Sequence, residues 1–426
     1  MKIKRLKVSN FKTFSDLDIS LSDFNVLIGA NGSGKSNFIS IFRFLRDLEK
    51  HGLEDAISLQ GGSDYFLNFS LKKNNLFSIS IELESIGDNV SFRSPYIRTR
   101  THMRISVKKI IYTLKIEFLQ KGKGIDEIEE EVIVTYDALE LDRLHISKSK
   151  TLGEMTVKII STSKNKSLST EIIDIAPELK KHISENDIIP DFLRERLKLN
   201  SEKKTSILSR FLSFTLMRPL FEDIAIYDFD PKSIKQPSPL TAKLQLEENA
   251  KNIAVVLKNL LSQEKNSKKF TQLISNILPF LKNINVKEPM DKSLRLEFKE
   301  SYVPKKNLPA ELISDGTAFI TAIIVALFFE KSDVAIFEEP ERNLHPKLIR
   351  KLVDYMKDVS KRKQIIVTTH NTELIKNLEK EDILFISRKK DGVSQIERLQ
   401  DIERIKLFLE NEIGIDELFA DDLIGV

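Results

Sequence analysis

Residues 29–36 read Gly29-Ala30-Asn31-Gly32-Ser33-Gly34-Lys35-Ser36 and fit the pattern G-x-x-x-x-G-K-[ST] at every fixed position. A short apolar run from Asn25 to Ile28 precedes these glycines and predicts a strand. Apolar residues at helical spacing follow from Asn37 to Lys50 and predict a helix. A strand, a glycine-rich turn and a helix in this order open an α/β unit and form the setting that a phosphate-binding loop requires.

This loop predicts a site for a nucleotide and Mg²⁺. Glycines let backbone N–H groups turn toward a phosphate chain, and the helix start adds its positive end. Lys35 is expected to reach the β- and γ-phosphates, and the Ser36 hydroxyl to ligate Mg²⁺. The predicted nucleotide-binding residues here are Gly29, Ala30, Asn31, Gly32, Ser33, Gly34, Lys35, Ser36 and Asn37.

Two further strand ends carry polar residues that suit the same chemistry. Val334 to Phe337 is an apolar run that leads into the carboxylates of Glu338 and Glu339. The first is expected to hold Mg²⁺ through water and the second to polarise an attacking water. His370 ends the apolar run that starts at Ile365, where it is expected to contact the γ-phosphate or position the water.

Ser314-Asp315-Gly316-Thr317 comes directly before an apolar segment that predicts a helix. Ser314 or Asp315 is a good N-cap residue. The hydroxyl and the free N–H groups at this helix start also suit a phosphate, and such a site is open to use across a subunit interface. The two roles are compatible.

The rest of the chain predicts one α/β domain split by a long insertion. Period-two alternation from about residue 63 to 165 predicts antiparallel strands. Helical spacing dominates from about 176 to 283 and is clearest at Ile253–Leu261 and Phe270–Leu278. The α/β pattern returns near residue 308 with a helix, a strand, a helix and a strand.

Composition excludes several classes of protein. The chain of 426 residues has no Cys, which rules out disulfides, thiolate metal sites and thiol nucleophiles, and it predicts a reducing, cytoplasmic compartment. No apolar run approaches the roughly 20 residues of a membrane span, and the N-terminus has no signal-peptide core, so we expect no membrane association. A net charge of +4 argues neither for nor against a nucleic-acid partner.

Four segments together resemble the ABC-type ATPase heads of the SMC/RecF group, most of all the OLD-like ATPases of prokaryotes. Ile3–Phe14 is similar to the strand before the loop, and Leu246–Leu257 to the helix before the signature. Glu338–Pro346 resembles the fused Walker B and D-loop, and Thr368–Asn371 the switch loop. Glu338 in place of Asp, and Ser-Asp-Gly-Thr in place of Ser-Gly-Gly-Gln, follow the manner of OLD-like members.

The resemblance implies an α/β fold: an ABC-type P-loop NTPase head with an inserted antiparallel β lobe and helical region. The implied segments are 1–62 and 301–390 for the two parts of the ATPase head, 63–165 for the β lobe, 166–300 for the helical insertion and 391–426 for the tail.

The resemblance also implies the roles of individual residues. ATP is the implied nucleotide, with Glu339 as general base, His370 as γ-phosphate sensor and Glu338 supporting Mg²⁺. Gln60 is the candidate for the Q-loop, which adds it to the nucleotide and metal ligands. Ser314 and Gly316 would clamp the ATP held by a second copy, which implies a head-to-tail homodimer with C2 symmetry, or a higher homo-oligomer built from such dimers.

OLD proteins continue after the switch strand into a metal-dependent nuclease domain, whereas 426 − 370 = 56 residues follow His370 here. An autonomous nuclease is therefore not expected. The chain is then similar to stand-alone ATPase subunits of two-gene anti-phage systems such as Septu and PARIS, which work with a separate effector. A RecF-like DNA repair ATPase and an ATP-gated scaffold with little turnover remain as alternatives.

Two features of the insertion leave the function open. Residues 91–104 interleave aromatic residues with four arginines, and this pattern suits a DNA contact, a strand-connecting loop or a protein-docking surface. These arginines are Arg93, Arg98, Arg100 and Arg104. Asp228 and Asp230 flank a phenylalanine beside Pro231, on what reads as a strand end; we expect a structural role, because a buried turn explains them without a metal.

Overall fold

A computed structural model describes the chain except for residues 69, 71–74, 86–90, 94–102, 120–123, 141–149, 165–166, 182–219, 290–291 and 402–426. The strands are β1 Lys2–Phe11, β2 Phe14–Ser20, β3 Phe24–Ile28, β4 Leu76–Glu84, β5 Ser91–Arg93, β6 Met103–Phe118, β7 Ile125–Glu140, β8 Lys150–Thr162, β9 Ser167–Ile175, β10 Ile224–Tyr227, β11 Ser238–Pro239, β12 Leu281–Lys287, β13 Ser293–Glu300, β14 Leu308–Pro309, β15 Val334–Glu338, β16 Gln364–Thr369, β17 Ile383–Arg388 and β18 Ser394–Arg398. The helices are α1 Lys35–His51, α2 Leu53–Leu59, α3 Ser63–Phe66, α4 Pro177–Lys180, α5 Pro231–Lys235, α6 Ile253–Leu261, α7 Glu264–Ile277, α8 Asp315–Phe328, α9 Pro346–Ser360 and α10 Thr372–Ile375.

The chain forms two compact units, each assembled from separated segments. The first, called the lobe unit, comprises residues 1–22, 36–223 and 388–396; the second, called the head unit, comprises 23–35, 224–387 and 397–426. The predicted segment boundaries run consecutively along the chain and stay a prediction.

The lobe unit is built on an antiparallel sheet in the order β2-β1-β4-β6-β7-β8-β9, with β5 paired to β6. Alternation along β4 places Phe77, Ile79, Ile81 and Leu83 on the buried face, which is the pattern of a sheet with one wet face. The predicted period-two strands are therefore confirmed. A cluster of phenylalanines, among them Phe44 of α1 and Phe66 of α3, fills the core beneath this face.

The head unit contains a six-stranded sheet in the order β10-β15-β16-β3-β17-β18. The pairs from β10 to β17 are parallel. The inner strands β15, β16 and β3 are buried almost throughout, as parallel strands covered on both faces must be. Helix α8 is apolar all round and lies in the same core.

Helical spacing between residues 176 and 283 is confirmed at α6 and α7. The strand end that the sequence indicates at Asp228 is confirmed by β10, which pairs in parallel with β15 at the edge of the head sheet. Within the described residues, no helix has both the length and the apolarity to cross a membrane.

Candidate nucleotide site

The head sheet brings three sequence motifs to one edge. β15, β16 and β3 are neighbours and run parallel, so their carboxyl ends lie at the same edge. Gly29 follows β3, Glu339 follows β15 and His370 follows β16. The carboxyl edge of a parallel sheet is where ligands of α/β proteins bind. The prediction that these residues share a site is supported by the order of the strands.

The backbone of the loop requires its glycines. A Cβ on Gly29 would collide with the carbonyl oxygen of Ile386 and stand 2.8 Å from Ser33 Oγ. Gly32 and Gly34 have φ of 81° and 114°, in the region that only glycine enters freely. The Ser33 N–H donates to the Ala30 carbonyl at 3.2 Å and closes the turn. The exposed tip, from Ala30 to Gly32, is open to a ligand.

Lys35 is folded back over this loop. Its Nζ donates to the carbonyl oxygens of Gly29 at 2.7 Å and Ala30 at 3.0 Å. Burial lowers the pKa of Lys35, while the nearby charges of Glu339 and Glu341 act in the opposite direction. The ammonium is therefore held between the loop and two carboxylates, at the place where a phosphate chain would need a cation.

Ser36 and Asn37 lie in the first turn of α1. The Ser36 side chain is exposed, and its carbonyl accepts a hydrogen bond from Ser40 Oγ at 2.8 Å. Asn37 Nδ2 donates to Thr13 Oγ1 at 3.0 Å, within the lobe unit. Asn37 thus has a structural contact, and its predicted part in nucleotide binding stays a prediction, as does that of Ser36 in Mg²⁺ binding.

Glu339 is the most constrained acid of the site. It adopts a left-handed backbone with φ of 44°, and its N–H donates to the Thr368 carbonyl at 2.9 Å. Its Oε1 lies 2.6 Å from His370 Nδ1, and its Oε2 accepts from Arg342 Nε at 2.7 Å. Burial acts to raise the pKa of Glu339, but Arg342 and His370 outweigh it and hold the pKa below its ordinary value. The carboxylate is therefore ionised at neutral pH, as a general base must be.

Arg342 connects Glu339 to Asp228, a residue for which the sequence predicted a structural role. Its Nη1 donates to Asp228 Oδ1 at 3.0 Å, just after β10. The prediction of a purely structural turn is confirmed for Asp230, which caps α5 by accepting from the Lys232 N–H at 3.0 Å. Asp228 is half-exposed rather than buried, and its carboxylate forms an ion pair with Arg342, so its structural role stays a prediction. No local signal in the sequence links two residues 114 positions apart.

Glu341 is a second acid at this edge that received no role from sequence. Its side chain is almost fully buried, at 4% exposure. Thr369 Oγ1 donates to its Oε1 at 2.5 Å, and its Oε2 has no hydrogen-bond partner. Burial raises the pKa of Glu341 to about 7. Three glutamates within four residues, from Glu338 to Glu341, are the signal that could have drawn attention to it.

Ser314 and Gly316 shape the start of α8. Ser314 Oγ accepts from the Thr317 N–H at 3.1 Å, which confirms its role as the N-cap. A Cβ on Gly316 would stand 2.9 Å from the Asn343 carbonyl oxygen. The glycine therefore allows the loop after Glu339 to approach the helix closely. Binding of a second copy's ATP here stays a prediction.

The remaining predicted residues lie in the lobe unit or outside the described residues. Gln60 ends α2 and is followed by Gly61 and Gly62 at positive φ, so this segment forms a helix C-terminus and turn. Its predicted contacts with nucleotide and Mg²⁺ stay predictions. Arg93 and Arg104 are paired in register on β5 and β6, while Arg98 and Arg100 fall outside the described residues.

Comparison with known proteins agrees with this architecture. A solved SMC head bound to the C-terminal winged-helix domain of ScpA matches 93% of this chain and 98% of its own, with 16% identity and a TM-score of 0.52. A second SMC head, from Pyrococcus furiosus with an extended coiled coil, matches 96% of this chain and 99% of its own, with 14% identity and a TM-score of 0.49. The first of these shows the fold, which is that of an SMC head and agrees with the fold class predicted from the sequence.

The family follows from the sequence itself. Residues 24–376 match the family described as "AAA domain, putative AbiEii toxin, Type IV TA system", and the chain belongs to this family. The chain is also similar to endonuclease GajA of Bacillus cereus (strain VD045), with 24% identity over 255 residues. The match covers 53% of this chain and 42% of GajA, so the chain spans less than half the length of that relative. The predicted relationship to SMC-like and OLD-like ATPases is confirmed at this level.

Proposed function

We propose that this chain binds ATP with Mg²⁺ at residues 29–36 and hydrolyses it to ADP and phosphate. The observation that carries the proposal is the meeting of Lys35, Glu339 and His370 at one sheet edge. Glu339 is hydrogen-bonded to His370 and close enough to Lys35 to influence its pKa. A phosphate-binding cation, an ionised base and a neighbouring histidine are the groups that phosphoanhydride hydrolysis requires.

The loop fits a phosphate chain. The positive φ of Gly32 and Gly34 lets the backbone of the loop turn toward an anion, and no atom lies within 4 Å of the place where a Cβ of Gly32 would stand. Ser36, Glu338 and Gln60 are the proposed ligands of Mg²⁺, which when bound would neutralise charge on the β- and γ-phosphates.

In the proposed reaction, Lys35 exchanges the carbonyl oxygens of Gly29 and Ala30 for phosphate oxygens. Water attacks the γ-phosphorus, the bond to the ADP oxygen breaks, and Glu339 accepts the proton of the water. His370 keeps the carboxylate oriented through Oε1 and senses the γ-phosphate.

The test is steady-state ATP hydrolysis by the wild type and by Glu339→Gln, with and without DNA. Glu339→Gln keeps the shape of the side chain but cannot take a proton, so we expect it to bind ATP and to lose turnover. Glu373→Gln is the matched control, because Glu373 pairs with Lys376 rather than with the site. Wild-type turnover in Glu339→Gln would show that Glu339 is not the base. Assembly driven by ATP without any turnover would favour a scaffold.

We further propose a head-to-tail homodimer in which Ser314 and Gly316 of one copy contact the ATP bound by the other. Mixing two inactive variants tests it. Ser314→Asp retains an N-cap but places a negative charge against a phosphate. Lys35→Ala removes the cation of the phosphate-binding loop. A mixed dimer would contain one intact site, so we expect the mixture to recover activity that neither variant has alone. Failure to recover activity at any ratio would refute this dimer.

We also propose that the ATP-dependent state of this chain controls a separate, nuclease-like effector in cytoplasmic anti-phage defence, as in Septu or PARIS. Membership in a family described with a toxin–antitoxin system and similarity to an endonuclease support this proposal. Protection of cells against phage by this gene with its genomic neighbours, lost in Lys35→Ala, would be the expected result. DNA-stimulated turnover without any toxic neighbour would favour a RecF-like repair ATPase instead.

Direct DNA contact is proposed for residues 91–104. Arg93 and Arg104 are register partners in the antiparallel pairing of β5 with β6. Replacing Arg93, Arg98, Arg100 and Arg104 by Gln should weaken DNA binding and reduce its salt dependence. Unchanged binding would assign the segment to a connecting or protein-docking role.

A further inference from the structure

The carboxylate of Glu339 is held at both oxygens, by a residue in the loop after β15 and by a residue that follows β16. His370 at the end of β16 contacts Oε1, and Arg342 contacts Oε2. The guanidinium of Arg342 is itself held by Asp228, at the end of β10. The chain of contacts therefore spans the edge of the sheet in the order Asp228, Arg342, Glu339, His370.

We propose that Arg342, anchored by Asp228, is a positioning residue that fixes the Glu339 carboxylate for the attack of water. This inference rests on the proposed function of Glu339 as the base. Asp228 lies in the inserted region. The part of that region between residues 63 and 240 carries no motif that indicated a part in catalysis.

One partner is not enough to fix Glu339. A glutamate side chain turns about three bonds, and its contact with the half-exposed His370 restrains one oxygen only. The guanidinium is planar and presents donors in a rigid fork, so an Arg held at Nη1 by Asp228 presents its Nε in a defined direction. Fixing both oxygens sets the plane of the carboxylate, and a misplacement of about 1 Å can cost about a hundred-fold in rate.

The charged residues around Arg342 favour its contact with Glu339. Glu339, Asp228 and nearby Glu338 act on the guanidinium, and Lys35 faces Glu339 from the loop. Asp228 offsets the positive charge of Arg342 on the side away from Glu339. Because Arg342 and Asp228 are 45% and 44% exposed, the pair contributes little to stability by itself, as is usual for surface ion pairs. A role in orientation explains its geometry better than a role in folding.

The test compares Arg342→Gln, Arg342→Lys and Asp228→Asn in steady-state hydrolysis. We expect Arg342→Gln to lower kcat by about ten-fold or more, with KM and the Kd of a fluorescent ATP analogue unchanged. Arg342→Lys keeps the charge but not the fork, so it should recover only part of the loss. Asp228→Asn should lower kcat less, and the double variant should be no worse than Arg342→Gln, since the two residues act through one contact.

Two comparisons separate positioning from a structural effect. Arg342→Gln should not lower the residual rate of Glu339→Gln, because no base is left to position. The lobe unit supplies a matched control, because Arg5 and Asp18 form a pair of similar exposure, 48% and 41%, with contacts at 2.7 Å. Arg5→Gln should leave kcat unchanged.

The proposal is overturned if Arg342→Gln keeps the wild-type kcat, raises it, or still lowers the residual rate of Glu339→Gln. These outcomes differ from failure of the proposed function. That function fails if the wild type shows no hydrolysis, or if Glu339→Gln turns over normally.

Discussion

The lobe sheet and the head sheet handle charge differently. The lobe sheet carries cross-strand ion pairs on its wet face, such as Lys115 with Glu129 at 2.7 Å and Lys158 with Glu131 at 2.6 Å. Its buried Glu130 accepts a hydrogen bond from the Tyr112 hydroxyl at 2.7 Å. The inner strands of the head sheet are apolar and buried, and their polar residues come where the strands end. The paired charges on the wet face of the lobe sheet are solvated and replaceable, whereas charge at the head edge is confined and coupled.

The difference between the two sheets indicates which charged residues are candidates for a functional role. A carboxylate that water reaches freely keeps an ordinary pKa and costs little to remove. At the head edge, Glu339 and Glu341 are close in sequence, yet their pKa values move in opposite directions. Arg342 and His370 contact the two carboxylate oxygens of Glu339. The carboxylate of Glu341 is buried and has one hydrogen-bond partner, Thr369. Environments that separate neighbouring acids in this way are typical of catalytic sites.

The largest effect is expected from Lys35→Ala. Removing the cation that lies over the loop should weaken ATP binding about a hundred-fold or more, since a buried phosphate would lose its charge-assisted partner. Titration with a fluorescent ATP analogue measures the change. Lys108→Ala, which breaks an exposed pair with Glu154 on the lobe sheet, is the control and should bind like the wild type. Retained tight binding in Lys35→Ala would refute the assignment of this loop.

The next largest effect is expected in the core of the lobe unit. Phe66 is fully buried and packs edge-on against Phe11, Phe44 and Phe77, with ring centroids 4.8–5.1 Å away. Phe66→Ala should lower the free energy of unfolding by about 3–5 kcal/mol, because it leaves a cavity among rings that cannot close over it. Urea unfolding followed by circular dichroism measures this loss. Phe66→Leu should lose clearly less, and equal losses would contradict the cavity argument.

A smaller effect, dependent on pH, is expected for Glu341. Its folded-state pKa is about 7, above its ordinary value of 4.5, so the folded protein binds this proton more tightly than the unfolded chain does. The resulting stabilisation is complete below about pH 4.5 and is lost as the pH rises through about 7. Relative to Glu341→Gln, the wild type should lose up to about 3 kcal/mol of stability between pH 5 and pH 9.

Unfolding of both proteins by urea across this pH range measures the difference. Glu264→Gln is the control, since Glu264 is exposed and paired with Lys268 on α7. A constant difference between wild type and Glu341→Gln at all pH values would show that Glu341 is ionised throughout.

The sequence predicted those parts of the fold and site that short segments encode. The loop 29–36, the apolar strands before Glu338 and His370, and the N-cap at Ser314 each depend on neighbouring residues, and parallel strands then bring their ends together. The pairing of Asp228 with Arg342 depends on tertiary contact. The burial of Glu341 likewise follows from packing against β16, through Thr369, and not from its own neighbours in the chain.

The smallest effect is expected for an exposed ion pair on the lobe sheet. Lys115→Ala removes one exposed cross-strand pair and leaves the Glu129 carboxylate in water. The free energy of unfolding should change by less than about 1 kcal/mol, with the change shrinking further in high salt. Urea unfolding at low and high salt measures it, and Lys115→Gln separates charge from side-chain length. A loss as large as that of Phe66→Ala would mean that the charges of the lobe are as tightly coupled as those of the head edge. The contrast between the two sheets would then fail.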